Sequence, residues 1–359
     1  SDDAAVVEQA CSLGLWPDAT DTAGWPLIVL ASKHGKRRQV KALVDAGAYV
    51  DIQNQQGETA LMYAAVTDDD ELFDVLRKNN ADVDVQKRSG ATALLLAAQA
   101  GHVGMVFKLL EERADVDLRT KSGGTALIAA ALNDREAIVG MLLRKNADVN
   151  VQTNDGVTAL TAAVRCSNDG VVAKLLDSGA NVDVQEQDGS TALTLAISGA
   201  RDAVVDMLLA KGANMDQFNS DGKTALITAV FDTRVGMVDK LLANGVNVNA
   251  CAQNGATALL AAAYTGRADV ATKLIAKGAN ANAQLRNGIS PLAMAAQHGH
   301  VAVVAELLQN DADVHMCTGK RSTAVSLAAK NGYHEIVEML LKHGANAFAA
   351  AADGKSARQ

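Results

Sequence analysis

Three stretches of this chain carry residue types that could do chemistry. Gly354-Lys355-Ser356 has the ending of a phosphate-binding loop, in which backbone N–H groups and a lysine cradle phosphates, but the earlier glycine of that motif is Ala349 here. His298-Gly299-His300 offers two imidazoles near enough in sequence to share a metal, and Asp68-Asp69-Asp70-Glu71 offers carboxylates of the kind that hold calcium. Four cysteines, Cys11, Cys166, Cys251 and Cys317, lie far apart, with neither zinc-site spacing nor a disulfide framework. Each stretch has a plainer reading in the element that holds it. The Gly-His step recurs at Gly101-His102, as an ordinary turn between helices. The acidic run opens a helical pattern, where carboxylates favour the positive end of the helix dipole. No catalytic, metal or cofactor site is expected.

The positioning elements repeat. Glycine returns every 33 residues at Gly24, Gly57, Gly90, Gly123, Gly156, Gly189, Gly222, Gly255, Gly288 and Gly354, with Arg321 in the one slot it misses. A fixed period of this length marks a solenoid, whose units contact only their neighbours and leave a long open surface. Two residues after most of these glycines stands a threonine (Ser290 once), followed by Ala-Leu in most repeats. A hydroxyl there caps a helix by accepting from the free N–H groups of the next turn. The helix that follows is small and apolar, as in Ala93-Leu94-Leu95-Leu96-Ala97-Ala98, and is therefore expected to be buried. A second, amphipathic helix follows, with aliphatics spaced as in Val204, Val205, Met207, Leu208 and Leu209. It ends at Gly47, Gly179, Gly212, Gly245, Gly278 or Gly344, or at Asn80, Asn146 and Asp311, where a left-handed cap is expected. Arg113 in that slot predicts local strain or an altered turn.

Period, cap, alanine pair, leucine pair and terminal glycine together resemble the ankyrin repeat. The resemblance implies an all-α solenoid of stacked helix-turn-helix units joined by short β-hairpin loops. It divides the chain into a half repeat over 1–22, with Val6, Val7 and Gly14 in outer-helix slots, ten repeats over 23–352, and the start of an eleventh at 353–359. The ends read as those of a domain excised from, or processed out of, a longer protein. Two departures stand out. The family's proline is alanine in most repeats, with Pro291 in the expected slot. Its histidine is replaced by Val29, Met62, Leu95, Ile128, Thr161, Thr194, Ile227, Leu260, Ala293 and Ser326, which predicts apolar packing there.

Function is expected in what docks. The resemblance implies a non-catalytic scaffold that binds protein partners through its concave face. The alternative is a regulatory or substrate-recruiting arm of a larger enzyme or channel, and a mechanical spacer is a third reading. A net charge of −8 argues against nucleic acid. With no long apolar run and no secretory leader, the chain reads as an intracellular domain of the cytoplasm or nucleus, without membrane insertion and monomeric in isolation.

In the ankyrin fold the hairpin tips and the exposed flank of the inner helix line the concave face. Most residues there are small or polar, including a row at Gln53, Gln86, Gln152, Gln185 and Gln284. The chain is only 3% aromatic, so the exceptions are conspicuous: Tyr63, Leu132, Phe218, Phe231, Tyr264, Leu285, Ile289 and Met294 are the candidate protein-binding residues. All but the first two group around the seventh to ninth repeats and could form one patch. Trp25 is expected to pack with Trp16 as a cap. Lys87, Arg88, Arg119 and Lys121 fall at adjacent hairpin tips and should make a small basic patch, suited to an acidic segment of a partner. Asn150, Asn249 and Asn282 occupy the hairpin slot that asparaginyl hydroxylases modify in similar proteins, a slot that also favours asparagine for its own turn bonds.

Overall fold

A computed structural model of the chain describes residues 16–346. The expected half-repeat residues Val6, Val7 and Gly14, Cys11, and the 353–359 segment with its Gly-Lys-Ser lie outside the described residues. These form twenty α-helices and no β-strand, with isolated bridges joining Thr20 to Pro26 and Cys317 to Thr323. They fall in two compact units, Ser1–Val184 and Gln185–Gln359.

In the N-terminal unit, inner helices α1 (Leu27–Lys33), α3 (Ala60–Thr67), α5 (Ala93–Ala100), α7 (Ala126–Leu132) and α9 (Ala159–Arg165) alternate with outer helices. The outer ones are α2 (Arg37–Asp45), α4 (Asp70–Lys78), α6 (Val103–Glu111), α8 (Glu136–Arg144) and α10 (Asp169–Asp177). In the C-terminal unit the inner helices are α11 (Ala192–Ser198), α13 (Ala225–Phe231), α15 (Ala258–Thr265), α17 (Pro291–His298) and α19 (Ala324–Lys330). Their outer partners are α12 (Asp202–Ala210), α14 (Val235–Ala243), α16 (Ala268–Ala276), α18 (Val301–Gln309) and α20 (His334–Lys342). Within each unit every helix pair packs together, and each inner helix packs on the inner helix of the next repeat.

The threonine caps form as the sequence requires. Thr92 Oγ1 accepts from Leu95 N at 3.2 Å, and the same bond recurs from Thr59 to Thr323. The expectation of apolar packing at the lost histidine slot holds for residues such as Ile128 and Leu260, which are buried. It is corrected at Thr161, Thr194 and Ser326. Their hydroxyls accept from the N–H of the capping residue at 3.0, 2.9 and 2.9 Å, closing reciprocal capping boxes.

Both glycine slots are left-handed, and the non-glycine occupants adopt the same turn: φ is 62° at Arg113 and 62° at Arg321. The turn is kept and the strain accepted, with Arg113 N donating to the Leu110 carbonyl and Arg321 N to the Thr318 carbonyl within their own turns. A third left-handed slot, between the inner and outer helix, was not read from the sequence. Gly101 and Gly266 occupy it, but so do Ala200 (φ 55°) and the β-branched Thr233 (φ 56°).

Adjacent hairpins are tied together by two ladders. Tip N–H groups donate to the carbonyl before the preceding glycine, as from Arg88 to Gln56 and from Arg286 to Asn254, both at 2.8 Å. Asp or Asn at the hairpin base accepts from the next repeat, as in Asp51 from Asp82 N, Asp84 from Asp115 N (both 2.9 Å) and Asn249 from Asn280 N (2.8 Å). Asparagine does more in this slot than aspartate: Asn249 Nδ2 also donates to the Gly278 carbonyl at 2.9 Å. Burial pushes the Asp51 and Asp84 carboxyls up, reinforced by the nearby charges of Asp82 and Asp115 and only partly offset by the N–H each accepts.

A raised carboxyl pKa means that the native state holds the proton more tightly than the unfolded chain. That stabilisation is complete below the unfolded value of about 3.9 and is lost as pH rises through the higher native value. Asp84→Asn is therefore expected to stabilise the protein at pH 7 by no more than about 1 kcal/mol, through a second hydrogen bond and relief of a half-buried charge that solvent largely screens. In thermal melts across pH, the gain over wild type should shrink as pH falls towards about 4. A gain independent of pH would rule out the charge as its source.

Candidate docking face on the inner helices

Positions 33 residues apart end successive inner helices, so side chains there come into register by translation along the repeat. In the C-terminal unit two of these are aromatic. The rings of Phe231, closing α13, and Tyr264, near the end of α15, lie 6.2 Å apart and tilted by 56°. The stack continues into α17, with His298 edge-on to Tyr264 at 5.0 Å and His300 stacked on His298 at 6.1 Å. At its other end Lys223 Nζ lies 5.2 Å from the centre of the Phe231 ring. Phe231 is 36% exposed and Tyr264 50%, so their rings are not core. Met294, half-buried, stands one turn before His298 on the same flank of α17.

The other candidates in this unit stand on hairpins. Leu285 and Ile289 are half-buried and paired across their hairpin, with Leu285 N donating to the Ile289 carbonyl at 3.0 Å. Phe218 occupies the slot of the glutamine row in the hairpin leading into the seventh repeat, and its ring does not join the aromatic stack. That row is a structural ladder: Gln185 Nε2 donates to the Gly189 carbonyl at 3.0 Å and to the Phe218 carbonyl at 2.8 Å. Where Cys251 replaces the amide, a cavity of about 440 Å³ opens among Asn249, Thr257, Asn280 and Gln284. A smaller cleft of about 130 Å³ lies beside Phe231, walled by Lys223, Ser190, Ser198, Thr228 and Asp232.

The histidines were read from sequence as turn residues, and that role is present. His300 Nε2 lies 3.0 Å from the Tyr264 carbonyl, and His102 Nε2 lies 2.9 Å from that of Val66, each meeting the end of the preceding inner helix. Their part in the aromatic stack was missed, although His298 follows Tyr264 by 34 residues, one off the period. The acidic run is likewise local. Asp69 caps α4 by accepting from Leu72 N at 3.0 Å, and Arg37 reaches both Asp69 and Glu71 at 2.8 Å. Among the described residues no group of three His, Cys, Asp or Glu side chains could hold a metal ion.

In the N-terminal unit the candidates do not form a stack. Tyr63 donates its hydroxyl to Glu58 at 2.7 Å; burial and that bond push the phenol well above its ordinary value. Burial works against the Glu58 carboxylate, but hydrogen bonds from Asn54 and Tyr63 and the charge of Lys87 outweigh it and hold the group below its usual range. Leu132 is 45% exposed, with Cys166 Sγ on its carbonyl. Trp25 packs beneath Lys33 Nζ at 4.2 Å and not against Trp16, which is 82% exposed. The basic patch divides. Lys87 pairs with Glu58 at 3.6 Å, and Arg119 bridges the Gly123 and Gln152 carbonyls, whereas Arg88 and Lys121 are exposed at successive tips.

Stacked helix pairs with capped inner helices and hydrogen-bonded hairpins define a helical-repeat protein. The family model for ankyrin repeats, three copies to a match, fits overlapping stretches that run from residue 5 to residue 351. The chain belongs to the ankyrin-repeat family. It is also 44% identical over 66 residues to a protein of Coxiella burnetii (strain RSA 493 / Nine Mile phase I) named for ankyrin repeats. That match covers 18% of this chain and 20% of the Coxiella protein.

Proposed function

We propose that the chain is a non-catalytic protein-binding module, and that its C-terminal unit holds a partner segment over the Phe231–Tyr264–His298 stack. The family supports protein binding in general. The observation that supports this particular face is that half-exposed aromatic rings occupy successive repeats at a slot where the other repeats carry no aromatic residue but Lys33, Val66, Gln99, Leu132, Arg165, Ser198, Gln297 or Lys330. The repeat does not need them for its core. Rings with few rotatable bonds lose little entropy on binding and are the usual anchors of interfaces. Leu132, Tyr63 and the tips at Arg88 and Lys121 are secondary candidates in the N-terminal unit. Free, exposed thiols at Cys166, Cys251 and Cys317 suit a reducing compartment, and no helix among the described residues is long and apolar enough to cross a membrane.

The test is the double variant Phe231→Ala with Tyr264→Ala. Truncating two anchors, at about 2 kcal/mol or more each, should lower recovery of a partner in pull-down well over tenfold. The melting temperature should fall by only a few degrees. Unchanged recovery, or a collapse in stability, would return both rings to a packing role.

A further inference from the structure

We infer that the docking face of the C-terminal unit takes an extended partner segment that carries carboxylates beside its apolar side chains. This rests on the docking reading above and adds the partner's charge. The hairpin that pairs Leu285 with Ile289 bears Arg286 at its tip, and the next hairpin bears Lys320 and Arg321. The two tips abut. Gly319 N donates to the Asn287 carbonyl at 2.7 Å, and a Cβ on Gly288 would meet Gly319 N at 2.9 Å. Ile289 leads directly into Ser290, the cap of α17, whose Met294 and His298 continue the aromatic face. Cations therefore border the apolar surface along its hairpin edge, and Lys223 stands at the far end of the stack.

Two lysines of the outer helices in this unit are paired differently. They are neutralised across repeats: Lys240 meets Asp206 at 2.7 Å and Lys273 meets Asp239 at 2.6 Å. Arg286, Lys320 and Arg321 are exposed and form no ion pair among the described residues. Lys223 is held only loosely, 4.0 Å from Asp221. In a chain of net charge −8, a cationic edge of this kind is not a consequence of composition. Like charges on abutting tips repel, and a carboxylate brought to them would relieve that repulsion. Once apolar side chains beside them exclude water, the resulting pairs strengthen, and guanidinium groups suit carboxylates in geometry as well as charge.

A random dodecapeptide library displayed on phage, selected against the full chain at about 0.15 M ionic strength, tests this. Recovered peptides should be enriched in Asp and Glu alongside aromatic or branched aliphatic residues. A labelled synthetic copy should lose at least about tenfold in affinity when its acids become amides, and likewise against the variant Arg286→Gln, Lys320→Gln, Arg321→Gly. That variant also removes the left-handed arginine, so loss of binding would not reflect unfolding; its melting temperature checks this. Peptides without acidic enrichment, affinity indifferent to the variant, or tighter binding of labelled oligothymidylate than of any peptide would overturn the inference. If binding then still needs Phe231 and Tyr264, the docking reading stands and only the charge assignment fails. A library that returns nothing sensitive to those two rings counts against both.

Discussion

Gly255→Ala is expected to destabilise the C-terminal unit by about 2–4 kcal/mol, the sum of a left-handed backbone penalty and a steric one. The residue has φ of 83°, and a Cβ there would collide with the Gln284 carbonyl oxygen and lie 3.0 Å from Leu285 Cα. Both contacts are backbone, so no side-chain rotation relieves them; the hairpin carrying Leu285 and Arg286 must move. Arg321→Gly makes the reciprocal change, since Arg321 already bears φ of 62°, and should raise stability by about 1 kcal/mol. Denaturant midpoints of the full chain measure both. A loss below about 1 kcal/mol for Gly255→Ala would mean that the hairpins are less closely stacked than described.

Leu259→Ala is expected to cost about 2–5 kcal/mol, whereas Tyr264→Ala on the same helix should cost no more than about 1.5 kcal/mol. Leu259 is 1% exposed within α15, so its loss leaves a cavity bounded by neighbouring repeats that cannot collapse without shifting two helix pairs. Tyr264 is half exposed and gives up ring contacts with Phe231 and His298, which water replaces in part. The contrast separates packing from docking by measurement. Equal losses at the two sites would make Tyr264 a core residue and remove the anchor on which the proposed face depends.

Most of the fold was legible because it is local. A threonine before an Ala-Leu run must cap a helix, and a small apolar helix of seven or eight residues must be covered on most sides; the caps at Thr92 and Thr257 meet that requirement. The candidate site was legible in part. Phe231 and Tyr264 share a slot, and the repeat translates one onto the other. Phe218 shares no slot with them and stands apart. The glutamine row reads as polar surface, yet Gln53, Gln86 and Gln185 form a ladder between hairpins, because each of these amides is placed by a carbonyl of the next repeat. Tyr63 looked like an anchor and is engaged by Glu58, a residue five positions before it that points the same way only once the hairpin has folded.

By itself the sequence determined the repeat, its phase, the helix starts and the left-handed ends, since these follow from backbone chemistry within one turn of each residue. Only the tertiary structure decided which chemistry-bearing side chains are engaged and which are not. It carried His298 into a ring stack and bound Lys87 and Arg119 to neighbouring hairpins. The physical reason is that each depends on a partner about one repeat away, and whether two such side chains meet depends on stacking geometry that no single repeat contains.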